Sequence, residues 1–357
     1  MQTRSLSTFS IAATYIGTVV GAGFASGQEV LQFFSFFGPA SFPALALAAL
    51  LFVFFGRIIL QLGHRLRARS HLEVIRHAGG PWLGAAVDGI ITFFLFGALT
   101  AMAAGGGAIF AEQFGLPPAL GSALIVGASL ATVLLGLRGV ITAISFVAPV
   151  LLVAVIGVSL VTVYTTPPDP WAIRVWASPA SAAVPSWPLA ALTYASYNLV
   201  LAVAVLAPLG AGARDEAALR RGALWGGIGL GLGALFINLA ILSRLEAAGF
   251  EVPMAFVAGE FTRPVQVAYI GVLLAEIYTT AVGNLYGFGA RLADPATPKF
   301  HWVALLTAGA ALAAGQLGFS TLVRYLYSAV GLAGFLMLGG LFYRWARERL
   351  RVPQPTP

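Results

Sequence analysis

The residues with the clearest chemical potential lie in an apolar stretch near the start of the chain, residues 14–29. Glycines 17, 21 and 23 weaken a helix there, since each glycine costs roughly 1 kcal/mol relative to alanine in a helix interior. A helix that ends near Val20 leaves carbonyl oxygens unpaired, and one that restarts near Ser26 leaves amides unpaired. The carbonyls suit a cation and the amides suit an anionic group. Lipid satisfies neither, so such a break must line a cavity or be buried in protein. We therefore predict a binding site.

The restart of this helix has a sequence signal of its own. Ser26 followed by Glu29 is the S-x-x-E pattern of a capping box, in which the two side chains satisfy each other's backbone amides. We therefore predict that Ser26 and Glu29 cap the second part of the first helix. The alternative is that Glu29 is an acid that couples transport to an ion.

Other kinds of site find little support in the sequence. The chain has no cysteine, so disulfides and thiolate chemistry are excluded. The four histidines, at 64, 71, 77 and 301, have no acidic or thiol partner at metal-ligand spacing. No catalytic triad, phosphate-binding loop or zinc motif is present, and we do not expect an enzyme.

The composition indicates a membrane protein, because 59% of the 357 residues are hydrophobic and only 9% are charged, with a mean hydropathy of +0.89. Apolar runs long enough to cross a hydrocarbon core of ~30 Å recur along the whole chain. We predict an all-α polytopic membrane protein with ten transmembrane helices. The spans are 7–37, 40–64, 84–114, 118–137, 139–163, 186–208, 219–243, 265–290, 300–317 and 321–345.

The placement of cations predicts the orientation, because cytoplasmic loops carry an excess of arginine and lysine. With the N-terminus inside, the outer side holds only Arg174, Arg244, Arg263 and Arg324. The inner side holds Arg4, Arg57, Arg65, Arg67, Arg69, Arg76, Arg138, Arg214, Arg220, Arg221, Arg291, Lys299, Arg344, Arg347, Arg349 and Arg351. Both termini are therefore expected to be cytoplasmic, in a bacterial plasma membrane. The net charge of +7 indicates attraction to anionic lipid, not nucleic-acid binding.

A polar, proline-rich stretch at 165–185 divides the spans five and five. We predict a first repeat at 1–164, an extracellular connector at 165–185, a second repeat in inverted orientation at 186–345, and a cytoplasmic tail at 346–357. Residues 14–20 align weakly with residues 193–199, since both begin Thr-Tyr and both are polar at mid-span. We therefore predict a second break in the sixth span, and paired breaks in inverted halves are typical of secondary transporters.

Five-plus-five helices with breaks in the first and sixth resemble the LeuT-type fold of the amino acid–polyamine–organocation superfamily. The run at 17–29, Gly-Thr-Val-Val-Gly-Ala-Gly-Phe-Ala-Ser-Gly-Gln-Glu, more narrowly resembles the YkvI-like bacterial membrane proteins. The resemblance implies alternating access and a sodium ion held between the first and eighth helices. Its ligands would be Gly17, Val20, Glu276, Thr279 and Thr280.

Glu276 departs from the family pattern, which usually has a small residue at its position. It shares one helix face with Thr279 and Thr280, and an acid at mid-membrane is functional by default. It can ligate sodium, carry a proton, or form a structural pair, while the threonines can instead bond back to their own helix. Some proton-coupled relatives have a lysine in the fifth helix at the place of the sodium ion. The fifth span here has no lysine, so the resemblance favours sodium over a proton.

The resemblance also implies a substrate site at the two breaks. The expected contacts are Gly21, Ala22, Gly23 and Phe24 from the first helix, Tyr194, Ser196, Tyr197 and Asn198 from the sixth, and Thr100 from the third. The alternative for the polar residues of the sixth helix is hydrogen bonding between helices with no ligand.

Together these observations predict a secondary transporter, a Na⁺ symporter for a small amino-acid-like zwitterion or organic acid. No cofactor is expected besides Na⁺ as coupling ion. Two alternatives stay open: an H⁺-coupled transporter that uses Glu276, and a non-transporting ligand sensor resembling germinant-receptor subunits. The sequence does not indicate the oligomeric state.

Overall fold

The computed structural model describes residues 6–135 and 147–350. This part of the chain is helical, and its only β-pairing is an isolated bridge between Leu6 and Ala213. The α-helices are α1 (Thr8–Val19), α2 (Ala22–Ala25), α3 (Gln28–Phe33), α4 (Ser41–Leu66), α5 (His71–Phe114), α6 (Pro118–Leu134), α7 (Val147–Thr165), α8 (Pro170–Trp176), α9 (Trp187–Ala211), α10 (Glu216–Ser243), α11 (Pro253–Gly259), α12 (Arg263–Leu292), α13 (Pro298–Ala314) and α14 (Phe319–Leu350). Arg4, Arg138, Arg351 and the start of the predicted fifth span lie outside the described residues.

Seven helices of the described chain are long and apolar enough to cross a membrane, and a pair bent by 112°, Pro149–Thr165 with Pro170–Trp176, would make an eighth. The shorter apolar helices α1 and α6 lie in the predicted first and fourth spans. The chain is thus an all-helical, multi-pass membrane protein. The count of ten spans remains a prediction, because the first span consists of several helices that are each too short to cross a membrane.

The first predicted break is present. Helix α1 ends at Val19, and Gly21 is extended, with φ −136° and ψ −172°. The chain then restarts at Ala22 rather than near Ser26, and restarts again at Gln28 after Gly27, which is left-handed with φ +81°. Two separate turns therefore replace the single restart that the sequence predicted.

The second predicted break is wrong, because α9 is a continuous helix from Trp187 to Ala211. Between Thr193 and Val203 the chain has neither glycine nor proline. The polar side chains there need no break, since Asn198 donates its amide to the carbonyl of Tyr194 one turn earlier, at 3.0 Å.

The helices pack in two groups. Helices α1, α4, α9 and α10 form one group, and α5, α6, α12 and α13 form the other. Helix α14 contacts both α9 and α5, while α7 contacts both α10 and α12. The short helix α2 touches α12, so the first break lies where the two groups meet.

Glycines permit the closest approaches inside the first group. Gly222 and Gly226 of α10 lie against Ile11 and Tyr15 of α1, so the glycine-rich α10 is a packing surface. Tyr15 also donates its hydroxyl to the carbonyl of Phe52 on α4, at 2.9 Å. Helix α1 is thereby held firmly up to its end.

The predicted connector at 165–185 contains α8, whose N-cap is Asp169. The part of the connector after α8 is hydrogen-bonded to the segment that follows the first break. The amide of Ser178 donates to the carbonyl of Phe36, and the amide of Ala183 donates to that of Gln32, both at 2.9 Å. The connector therefore packs onto the first span.

The contact between α4 and α9 gives a prediction about stability. A Cβ at Gly210 would overlap the carbonyl oxygen of Leu60, whereas a Cβ at the exposed Gly309 would meet nothing within 4 Å. We expect Gly210→Ala to lower the free energy of unfolding by about 1–3 kcal/mol through overpacking. Gly309→Ala should be neutral or slightly stabilising, because alanine favours the helix. Thermal unfolding of the two purified variants measures this difference, and equal unfolding temperatures would contradict it.

Candidate functional site at the break of the first helix

The break leaves a set of backbone groups unpaired. Among the described residues, nothing donates to the carbonyl oxygens of residues 17–20, and the amides of residues 21–24 donate to nothing. The carbonyls point with the end of α1 and carry partial negative charge, while the amides carry partial positive charge. The break can therefore hold a cation and an anionic group side by side.

Space is available on one side of the break. A Cβ added at Gly17 or Gly21 would meet no heavy atom within 4 Å, and Gly17 is exposed. On the opposite side the chain is closed, since Ala22 and Phe24 are buried. The break thus has one accessible face.

Glu29 occupies the closed side. Its carboxylate is buried, accepts a hydrogen bond from the hydroxyl of Tyr197 on α9, and fills the space where a side chain at Gly23 would lie. No arginine, lysine or histidine of the described chain lies within 4.0 Å of it. A side chain at position 23 would displace this carboxylate from its place against the break.

The capping prediction for Ser26 and Glu29 is therefore wrong. The Ser26 hydroxyl donates to the carbonyl of Gly23 at 2.8 Å and accepts from the amide of Gln28 at 3.2 Å. Gly27 takes the N-cap position of α3, so Glu29 falls in the first turn and its side chain projects toward α9. The left-handed glycine shifts the start of the helix and frees the acid.

An aromatic cluster surrounds the Glu29–Tyr197 pair. The ring of Tyr197 lies 5.5 Å from that of Tyr194 and 5.2 Å from that of Tyr327, centroid to centroid. Phe94 of α5 closes the cluster, 5.1 Å from Tyr327. The Tyr194 hydroxyl is buried without a hydrogen-bond partner among the described residues. Glu29 is thus hydrogen-bonded to one phenol group of an aromatic cluster, with no cation of the described chain within 4.0 Å.

Four of the predicted substrate contacts are engaged by the protein itself. Ser196 lies against Gly334 of α14, and Phe24 packs its ring against Gly233 of α10. Thr100 donates its hydroxyl to the carbonyl of Phe96 in its own helix, at 3.0 Å. Asn198 likewise bonds back to α9. Of the predicted α9 residues, the structure therefore brings Tyr197 to Glu29, with Tyr194 beside it.

The second buried acid lies on α12. Glu276 is 6% exposed, and its Oε2 has no hydrogen-bond partner in the described chain. Thr280 follows one turn later on the same helix. The Thr279 hydroxyl donates to the carbonyl of Glu276 at 3.1 Å, which leaves its oxygen lone pairs available. These three residues hold oxygen ligands on one face, as their spacing predicted.

Two site residues were missed from the sequence. Tyr269 of α12 donates its hydroxyl to the carbonyl of Ala25 at 2.6 Å and so joins α12 to the end of α2. Tyr327 lies in a π-helical turn of α14, Val323–Tyr327, and reaches the Glu29 cluster. Neither tyrosine belongs to a recognisable motif, so only the packing of the helices identifies them.

Solved transporter structures resemble the overall fold of this chain. Similar folds are found in MhsT in complex with L-phenylalanine (17% identity, TM-score 0.61, 92% of this chain and 87% of that one). A similar fold is found in a Na⁺-coupled sialic acid symporter in its substrate-bound outward-open state (13% identity, TM-score 0.60, 95% of this chain and 79% of that one). Another is inward-facing Mhp1 (14% identity, TM-score 0.59, 95% of this chain and 77% of that one). At these identities the likeness establishes the LeuT-type fold alone.

No family model matches the chain. Two Bacillus subtilis (strain 168) proteins are similar to it over nearly their whole length. YyaD is 28% identical over 327 residues, which are 90% of this chain and 92% of YyaD. The membrane protein YkvI is 30% identical over 356 residues, which are 98% of this chain and 99% of YkvI. The chain therefore belongs to the family of YkvI-like membrane proteins.

Proposed function

We propose that this protein is a secondary transporter that moves a small amino-acid-like zwitterion or organic acid together with Na⁺ by alternating access. The observation that carries the proposal is the break at Val20–Gly21, whose unpaired carbonyls and amides lie where the two helix groups meet. Irregular backbone at membrane depth is tolerated where it lines a binding cavity. Rocking of one group against the other would open this point alternately to the two sides.

The free amides of residues 21–24 support a substrate that carries an anionic group. The solved structures of similar fold include one with L-phenylalanine bound and one of a sialic acid symporter, and both of these compounds carry a carboxylate. The accessible face beside Gly17 and Gly21 has room for such a group.

A thermal-shift panel of amino acids and small carboxylic acids, with and without Na⁺, would identify the compound class. Absence of any stabilising compound would count against transport of these classes.

The sodium assignment rests on Glu276 and its neighbours. A buried carboxylate oxygen without a partner is costly unless it is protonated or meets a cation. In this proposal the carbonyls of Gly17 and Val20, which accept no hydrogen bond in the described chain, would supply Na⁺ ligands together with the Glu276 carboxylate and the hydroxyls of Thr279 and Thr280. All of these are hard oxygens, which suit Na⁺. In this proposal Na⁺ travels with the substrate as a second transported species.

A specific observation also supports a proton-coupled alternative. Glu29 is buried, faces phenol groups, and has no cationic partner among the described residues. Glu29 is therefore a second candidate for a proton carrier, beside Glu276. Substitutions at Glu276 and at Glu29 can therefore distinguish Na⁺ coupling from H⁺ coupling.

The first prediction concerns sodium. We expect Glu276→Gln and Thr280→Ala to weaken binding of radioactive Na⁺ to the purified protein about tenfold or more, since each removes an oxygen ligand or its charge. Thr307→Ala is a matched control, because Thr307 is buried and bonds only to the carbonyl of Val303 in its own helix. Unchanged Na⁺ affinity in both site variants would remove Glu276 and Thr280 from the sodium site.

The second prediction concerns protons. If H⁺ is the coupling ion, Glu29→Gln should abolish uptake driven by an imposed pH gradient in proteoliposomes while leaving substrate exchange intact. The reason is that glutamine retains the shape of the side chain but cannot take up or release a proton. If Na⁺ alone is coupled, an imposed Na⁺ gradient drives uptake in this variant as in the wild type. Uptake that follows neither gradient would refute coupled transport.

The third prediction tests whether Glu29 lies against the break. Gly23→Ala should destabilise the protein by about 1–3 kcal/mol, because its Cβ overlaps the Glu29 carboxylate. Gly21→Ala, with open space at its Cβ, should change the unfolding temperature little. In a Glu29→Ala background the cost of Gly23→Ala should disappear. Additive effects of the two changes in this double-mutant cycle would show that the residues do not touch.

A further inference from the structure

A second polar feature lies at the opposite end of α4 and α10 from the connector, away from the break. A cavity of about 330 Å³ opens there between the two helices. Its lining is Val53, Arg57, Ala217, Arg220, Arg221 and Leu224. Three of these six side chains are guanidinium groups, and no acid is among them.

The register of α4 and α10 explains why the cavity exists. The helices touch closely at two successive turns, where Gly231 meets Ala49 and Gly227 meets Val53. In the next two turns toward the start of α10, Leu224 and then Arg220 and Arg221 line a space beside Arg57. The cavity is therefore built into the helix pair, with the Val53–Gly227 contact as its floor.

The three arginines of this cavity form no ion pair in the described chain. No carboxylate of the described chain lies within 4.0 Å of Arg57, Arg220 or Arg221. An adjoining cavity of about 260 Å³ shares Arg57 but includes Glu216 and Glu348, so it carries both signs of charge. An anion is therefore favoured on the side of Arg220 and Arg221.

The apolar part of the lining distinguishes between kinds of anion. Leu224 is 41% exposed, and the next residue, Trp225, is 58% exposed. Both lie on the outer surface of α10 beside the arginines. Tryptophan is enriched where the hydrocarbon meets the headgroups. A ligand that fits this surface has a charged head for the arginines and an apolar tail for the leucine.

We propose that this cavity binds the phosphate headgroup of an anionic phospholipid, with Arg57, Arg220 and Arg221 around the phosphate and an acyl chain along Val53 and Leu224. Guanidinium groups match phosphate oxygens in pairs, and basic pockets between membrane helices bind anionic headgroups. The predicted positive-inside orientation places the cavity at the cytoplasmic leaflet. The site is separate from the break and does not depend on which ion is coupled.

The test compares phosphatidylglycerol, phosphatidylcholine and inorganic phosphate as ligands of the purified protein. Phosphatidylglycerol should raise the unfolding temperature and stay bound in native mass spectrometry, whereas phosphatidylcholine should not. Arg220→Gln/Arg221→Gln should weaken phosphatidylglycerol binding by about fivefold for each arginine. Arg214→Gln is the matched control, because Arg214 is an exposed arginine near the same end of α10 but outside the cavity, 3.8 Å from Asp215.

Three outcomes would overturn the proposal. Equal loss in Arg214→Gln would show a diffuse charge effect, and stabilisation by inorganic phosphate that phosphatidylglycerol does not exceed would show a site for a free anion. Equal binding of phosphatidylglycerol and phosphatidylcholine would show that no anion site exists. If the glutamine variant fails to fold, Arg220→Lys/Arg221→Lys retains the charge and should still bind more weakly, because lysine lacks the planar fork.

Discussion

The need to satisfy backbone groups inside a membrane governs this structure. At Val20–Gly21 the first helix stops, and several carbonyls and amides lose their partners in the described chain. In hydrocarbon each such group would cost several kcal/mol. The break is therefore placed between two groups of helices, where α2 contacts α12 and where a polar ligand can replace the missing bonds.

Small residues make that placement possible, and they do so in two different ways. In α10, Gly222 and Gly226 let the helix lie close against α1 and hold it in position up to the break. At the break itself, the space beside Gly23 is filled by the Glu29 carboxylate and not by a neighbouring helix. Glycine content in this chain thus reflects close helix packing at some positions and the shape of the site at others.

Two buried acids without a cationic partner in the described residues are the second unusual feature. Glu29 accepts a hydrogen bond from Tyr197 on the closed side of the break, and Glu276 on α12 has an oxygen that no described residue pairs with. Stable burial of a carboxylate requires a proton, a cation or strong hydrogen bonds. Glu29 lies on α3, which contacts α9 and α10, whereas Glu276 lies on α12 of the other group. Under the proposed function, ion binding at these acids would bias the contact between the two groups.

Several local features could be predicted from the sequence alone. Hydropathy predicted a multi-pass helical protein, three glycines predicted the end of α1 at Val20, and the spacing of Glu276, Thr279 and Thr280 predicted a shared face. These features depend on a few neighbouring residues. The role of Glu29, the continuity of α9 and the outward packing of Ser196 required the folded chain. Each depends on a partner more than 100 residues away, namely Tyr197 for Glu29 and Gly334 for Ser196, or on hydrogen bonds that make a break unnecessary. A polar residue in a membrane helix has several ways to be satisfied, and only the packing of the other helices selects among them.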